Sequence, residues 1–293
     1  MKFTKYFTLA ISASTVLASC GGGEPANVTT EESNNKSWYT EQYTEADEAG
    51  FRWKTERFSD IKILRYQING WDKLSAKQKE LVYYITQAGY AGKEIIWDQN
   101  YRHNLTIKRA LENIITNFSG DKTSDDWTKL MVYTKRLWFA NGIHHHYSMD
   151  KFNPDFSREY FATLLADTKT ELAEEVIEVI FNPEIDNKKV SLDANKDLLL
   201  ASASNFYGPD VTEQEVTDFY AAKADKNNPE PISFGLNSKL VKGENGLEEQ
   251  VWKSGGMYGA AIDQVIGWLE KAVTVSENEA QGNALKLLIE YYQ

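Results

Sequence analysis

The stretch that decides the fold runs over residues 125–147, Asp-Asp-Trp-Thr-Lys-Leu-Met-Val-Tyr-Thr-Lys-Arg-Leu-Trp-Phe-Ala-Asn-Gly-Ile-His-His-His-Tyr. Leu130, Val132, Tyr133, Leu137 and Trp138 recur at helical spacing, and Asp125 and Asp126 place negative charge where a helix N-terminus favours it. Asn141-Gly142 then supplies residues that tolerate a left-handed backbone, so the helix is predicted to stop there. Immediately beyond the stop stand His144, His145 and His146, three of the four histidines in the chain.

Three consecutive histidines cannot all converge on one metal ion, because neighbouring side chains diverge by about 100° on a helix and about 180° on a strand. A metal site would need ligands from distant carboxylates. A hydrogen-bonded or substrate-contacting turn, or an exposed loop, are the other readings of the same residues. A zinc hydrolase usually carries two histidines one helical turn apart with a glutamate between them, and no such pair exists here. No Gly-x-Ser-x-Gly elbow, Gly-x-Gly-x-x-Gly fingerprint or P-loop appears either. Adjacent carboxylates at Asp125-Asp126, Glu174-Glu175 and Glu248-Glu249 read as solvated faces in so acidic a chain.

Outward from this segment the pattern is α+β, mostly helical with a small antiparallel β-sheet or barrel. Ile61 to Ile68 is close to alternating and ends at Asn69-Gly70, which predicts a strand and turn. Ser75-Ala76-Lys77-Gln78 is a capping box opening a helix, and Arg102 to Asn117 forms another helical stretch. Thr168-Lys169-Thr170-Glu171 and Thr212-Glu213-Gln214-Glu215 are read as further capping boxes. Ile232 to Val241 and Leu247 to Trp252 flank Gly243-Glu244-Asn245-Gly246, a hairpin signature. Helices are predicted from Met257 to Val275 and from Ser276 onward, the last carrying Leu285, Leu288, Ile289 and Tyr292 as an apolar stripe that needs a partner.

The 293 residues hold 43 acidic and 32 basic side chains, a formal charge of -11, which disfavours nucleic acid as a partner. One cysteine rules out an intrachain disulfide framework and a multi-thiolate zinc ribbon. That cysteine, Cys20, closes a short apolar run preceded by Lys2 and Lys5, with Leu17-Ala18-Ser19 before it. The arrangement resembles the lipobox of bacterial lipoproteins. Residues 1–19 are therefore expected to be a signal peptide and Cys20 the lipidated N-terminus, giving a membrane-anchored protein of the bacterial cell envelope. Residues 20–50 read as a flexible tether and residues 51–293 as the folded lobe. Asn-x-Ser/Thr triplets such as Asn104-Leu105-Thr106 are treated as noise in such a protein. Eight tryptophans and sixteen tyrosines keep a surface lipoprotein that binds glycans or peptides without catalysis as an alternative.

Lys135 to Tyr147 followed by Asp150-Lys151-Phe152-Asn153-Pro154, together with Phe58-Ser59-Asp60-Ile61-Lys62-Ile63-Leu64-Arg65-Tyr66, Ser75 to Tyr84 and Pro229 to Ser238 through Gly255-Gly256-Met257-Tyr258, resembles the bacterial branch of the dipeptidyl peptidase III family of zinc metallopeptidases. The resemblance spans residues 57–293. It implies release of dipeptides from the N-terminus of short peptides, with zinc held by a His-Glu-x-x-Gly-His helix and a further glutamate. None of those ligands is present in these residues, and family members are more than twice as long. The resemblance thus implies a partial, non-zinc lobe of a two-lobed metallopeptidase, inactive alone and lacking its C-terminal lobe. Asn141, His144, His145, His146 and Tyr147 are its candidate substrate-cleft residues.

Overall fold

The computed structural model describes residues 37–293 except 226 and 231. Cys20, the signal peptide and the first part of the expected tether lie outside the described residues. The chain runs β1 (Thr40–Gln42), β2 (Lys54–Phe58), β3 (Ile61–Leu64), α1 (Ala76–Ala91), α2 (Lys93–Asn100), α3 (Asn104–Asn117), α4 (Asp125–Ala140), α5 (Arg158–Asp167), α6 (Glu174–Phe181), α7 (Glu213–Lys223), β4 (Ser238–Gly243), β5 (Gly246–Val251), α8 (Gly259–Thr274) and α9 (Glu279–Tyr292). It is a helix-rich α+β lobe. Among the described residues no helix is long and apolar enough to cross a membrane.

The core lies among α2 to α6. Ile107, Leu111, Ile114, Leu130, Leu137, Phe161 and Leu164 are buried there with Tyr101 and Ile143. Each such side chain contributes about 1.5–3 kcal/mol by leaving water. α4 is central because its ends are fixed as the sequence implies. Ser124 accepts from the Trp127 N–H at 3.3 Å, Asp125 and Asp126 fill the first turn, and Asn141 adopts φ 55° and ψ 45°. The Gly142 N–H then reaches back to the Leu137 carbonyl at 3.0 Å, closing a Schellman motif. The capping boxes at Ser75/Gln78 and Thr212/Glu215 also form.

Five expectations need correction. Thr168 ends α5, its hydroxyl bonding back to the Leu164 carbonyl, and α6 begins after Ala173 with no side-chain cap, so the box read at residues 168–171 does not form. The tether read to residue 50 overruns an ordered strand: β1 pairs antiparallel with β2, which pairs with β3. The strand read from Ile61 stops at Leu64, and the hairpin strand read from Ile232 starts only at Ser238, Gly235 interrupting it at φ 72°. Finally, the three-stranded sheet β1–β2–β3 and the two-stranded sheet β4–β5 are separate, so the described strands close no barrel.

The first sheet seats Phe58 and Ile61 on Val132 of α4, with Trp38 and Ile63 alongside. Lys135 pairs with Glu56 across the same junction. At the other end, α8 packs on both α1 and α9, and Tyr84 stacks on Trp268 with ring centroids 6.1 Å apart.

Candidate functional site

The candidate site is the turn that follows α4. Its foundation is Asn104, the first residue of α3, which is fully buried. Its Nδ2 donates to the Trp97 carbonyl at 3.0 Å and its Oδ1 accepts from the Ile143 N–H at 3.1 Å. The Asn141 carbonyl accepts from Asn100 Nδ2 at 3.0 Å. Gly142 passes so close that a Cβ there would stand 2.1 Å from Asn104 Nδ2, so only glycine fits, the more so at φ 148°. The backbone of the turn is therefore held by buried amides rather than by regular structure. Complete burial also removes Asn104 from any glycosylation role.

The three histidines diverge. His144 points into the core, where Nε2 lies 2.7 Å from the Asp186 carbonyl and the ring meets Tyr101 edge-on. A carbonyl only accepts, so Nε2 carries the proton and Nδ1 is left as a buried acceptor without a partner. Burial pushes the His144 imidazole down to about 4, the Asp186 carbonyl opposing the shift. It is neutral at pH 7. His145 instead organises the loop: its Nδ1 accepts the Tyr147 and Ser148 N–H groups, both at 3.1 Å. Its Nε2 therefore bears the proton and donates to Asp60 Oδ2 at 3.3 Å. Burial pushes the Asp60 carboxyl up, but hydrogen bonds from its own backbone N–H and from His145 outweigh this and hold it below the usual range.

His146 lies between the His145 and Tyr147 rings, at 4.4 and 4.6 Å, with Phe139 edge-on. Burial lowers its affinity for a proton, and nearby His145 adds to the effect. Tyr147 is 83% exposed. Asn141, His144 and His145 thus act as framework, whereas His146 and Tyr147 present an aromatic surface.

This donor set does not fit a zinc ion. His144 and His145 are committed to Asp186 and Asp60 on different sides of the turn, and among the described residues no three His, Cys, Asp or Glu side chains are grouped as a metal would require.

Three further charged residues complete the site. Lys151 is buried, and its ammonium donates to the carbonyls of Val179 at 2.9 Å, Asn182 at 2.6 Å and Ile185, closing the C-terminal end of α6. Asp186, at φ 48°, accepts from Tyr101 at 2.6 Å and Arg102 at 2.9 Å. Arg136 projects from α4 with its guanidinium 4.1 Å from the Phe152 ring centroid, facing a cavity of about 340 Å³. Arg136, Asp60 and Lys151 all lie within the segments that carry the resemblance. Asp186 gave no sequence signal, because a lone aspartate between Ile185 and Asn187 is indistinguishable from a loop residue. Asn104 was masked by its sequon.

No protein-family model matches the chain, and no curated protein does. Among solved structures, it is similar to dipeptidyl peptidase III from Caldithrix abyssi, at 16% identity and a TM-score of 0.47 over 78% of this chain and 32% of that one. It is also similar to dipeptidyl-peptidase III from Corallococcus sp. strain EGB, at 14% identity and a TM-score of 0.47 over 77% of this chain and 32% of that one. The chain spans about a third of the length of these structures.

Proposed function

We propose that this chain is the substrate-cleft lobe of a lipid-anchored, dipeptidyl peptidase III-like zinc peptidase of the bacterial cell envelope, whose intact form releases N-terminal dipeptides from short peptides. The reading is supported above all by the way separated segments of the resemblance meet in space. The segment Phe58 to Tyr66 contacts the segment Lys135 to Pro154 through Asp60 and His145, and Lys135 bonds to Glu56 just before it. The segment ending at Tyr258 is tied to α2 by the Tyr258 hydroxyl, which donates to Asp98 Oδ2 at 2.6 Å.

On this reading the lobe binds and orients peptide, and the zinc ligands are supplied by a C-terminal lobe outside these residues. Cys20 carries the lipid that holds the protein at the membrane. The chain alone binds short peptides with a free amino terminus and does not cleave them. Calorimetric titration of the purified chain with tetrapeptides and with oligosaccharides tests this directly. Binding of peptides in preference to sugars supports it. Selective sugar binding, through the patch of Phe139, His146 and Tyr147, would favour the glycan-binding alternative, for which those clustered rings are the specific observation.

A further inference from the structure

Arg136 is an anomaly. Its Nε is buried and has no hydrogen-bond partner, and among the described residues the guanidinium forms no ion pair within 4 Å and lies against the face of Phe152. A sheltered guanidinium whose donors are left unbonded is costly, and a protein normally satisfies or removes it. Asp60 and Asp155 lie close enough to favour the Arg136 charge, but their hydrogen bonds go elsewhere. Asp60 accepts from His145, Asp150 pairs with Lys188, and Asp155 accepts from Ser37 at 2.6 Å.

The cavity in front of Arg136 is also lined by His145, Ser148, Phe152, Asn153 and Asp155. Its volume of about 340 Å³ is at the small end of ligand cavities, which begin near about 300 Å³. Lys151 borders it but spends its ammonium on backbone carbonyls. The chemistry that fits is one carboxylate. Arginine's planar fork binds a carboxylate through two parallel hydrogen bonds, with the Asn153 amide as a further donor on the wall. Asp155 on the same wall disfavours a polyanion such as phosphate and would welcome an ammonium.

We propose that this cavity is a binding site for the carboxylate of a small zwitterionic ligand, with Arg136 as the anchor and Phe152 as the stacked floor that holds it. That the ligand is a short peptide rests on the function proposed above; that it carries a carboxylate does not.

The test uses the peptide Ala-Ala, its C-terminal amide and propionate, each titrated into the purified protein by calorimetry and by NMR of the arginine Nε–H resonances. Ala-Ala is expected to bind about 10- to 100-fold more tightly than the amide, the range for a hydrogen bond to a charged group. In Arg136→Met that preference is expected to vanish, while the melting temperature stays level or rises because an unpaired sheltered charge has gone. Equal binding of acid and amide by the wild type, or a preference retained in Arg136→Met, would overturn the proposal. Should the variant not fold, the wild-type comparison decides alone: the Arg136 resonance must move with Ala-Ala and propionate and stay still with the amide. Propionate binding without peptide binding would leave this site standing and sink the peptide reading. Peptide binding without preference for the acid would do the reverse.

Discussion

The turn after α4 and the helical layer formed by α1, α8 and α9 are built on opposite terms. The turn has little regular structure, yet buried side chains fix its backbone: Asn104 grips both sides of Gly142, His144 reaches Asp186, and Lys151 closes α6. The layer is regular helix throughout, yet it leaves Val82, Ile85, Leu287, Leu288 and Tyr291 exposed. The buried hydrogen bonds hold the path of the turn, because breaking one there is expensive. The layer is held by apolar contact along α8, where Ile262, Ile266, Leu269 and Ala272 are buried. Rigidity near the candidate site therefore comes from hydrogen bonds, and the helical end has apolar surface to spare.

Substitutions can break this contrast in graded steps. Asn104→Ala would strand the Ile143 N–H inside the core and open a cavity beside Gly142, and a loss of about 3 kcal/mol is expected in denaturant unfolding. Lys151→Met keeps the stem but removes the charged donor from the Val179, Asn182 and Ile185 carbonyls, and about 2–3 kcal/mol is expected by the same measurement.

The pH dependence follows from His144. Its folded-state value of about 4 lies below that of an unfolded histidine, so the unfolded chain binds the extra proton between these values. The stabilisation is complete above about pH 6.5 and is lost as pH falls toward about 4, amounting to about 2 kcal/mol by pH 5. In His144→Gln, whose amide can still donate to the Asp186 carbonyl, this component of the acid sensitivity should disappear, as paired melts at pH 7 and pH 5 would reveal. At the bottom of the scale, Leu287→Ser on the exposed side of α9 should shift stability by no more than about 0.5 kcal/mol. A large loss there would mean that the helical layer is as tightly specified as the turn.

What the sequence conveyed follows the same division. Helices with capping boxes or an amphipathic stripe were legible: α1, α4, α7 and the hairpin turn at Glu244-Asn245 stand where local chemistry places them. α5 was not legible as a separate helix, and the Thr168 box was illusory, because the same threonine hydroxyl serves equally well to end the preceding helix. β1 was hidden because Thr-Glu-Gln has no strand alternation and exists only through its pairing with β2. At the site, divergence of the three histidines was readable from geometry alone. Their partners were not, since Asp186 and Asp60 lie 42 and 85 residues away in the chain. Long-range polar pairing leaves no periodic trace.

The proposed role of the lobe requires that it bind peptide without cleaving it. The most direct measurement is hydrolysis of a dipeptidyl-naphthylamide by the purified 293-residue chain with zinc present, alongside calorimetric binding of an unmodified tetrapeptide. Saturable tetrapeptide binding and no naphthylamine release above a buffer control are expected. Release above that control, or no peptide binding at all, would contradict the proposed role.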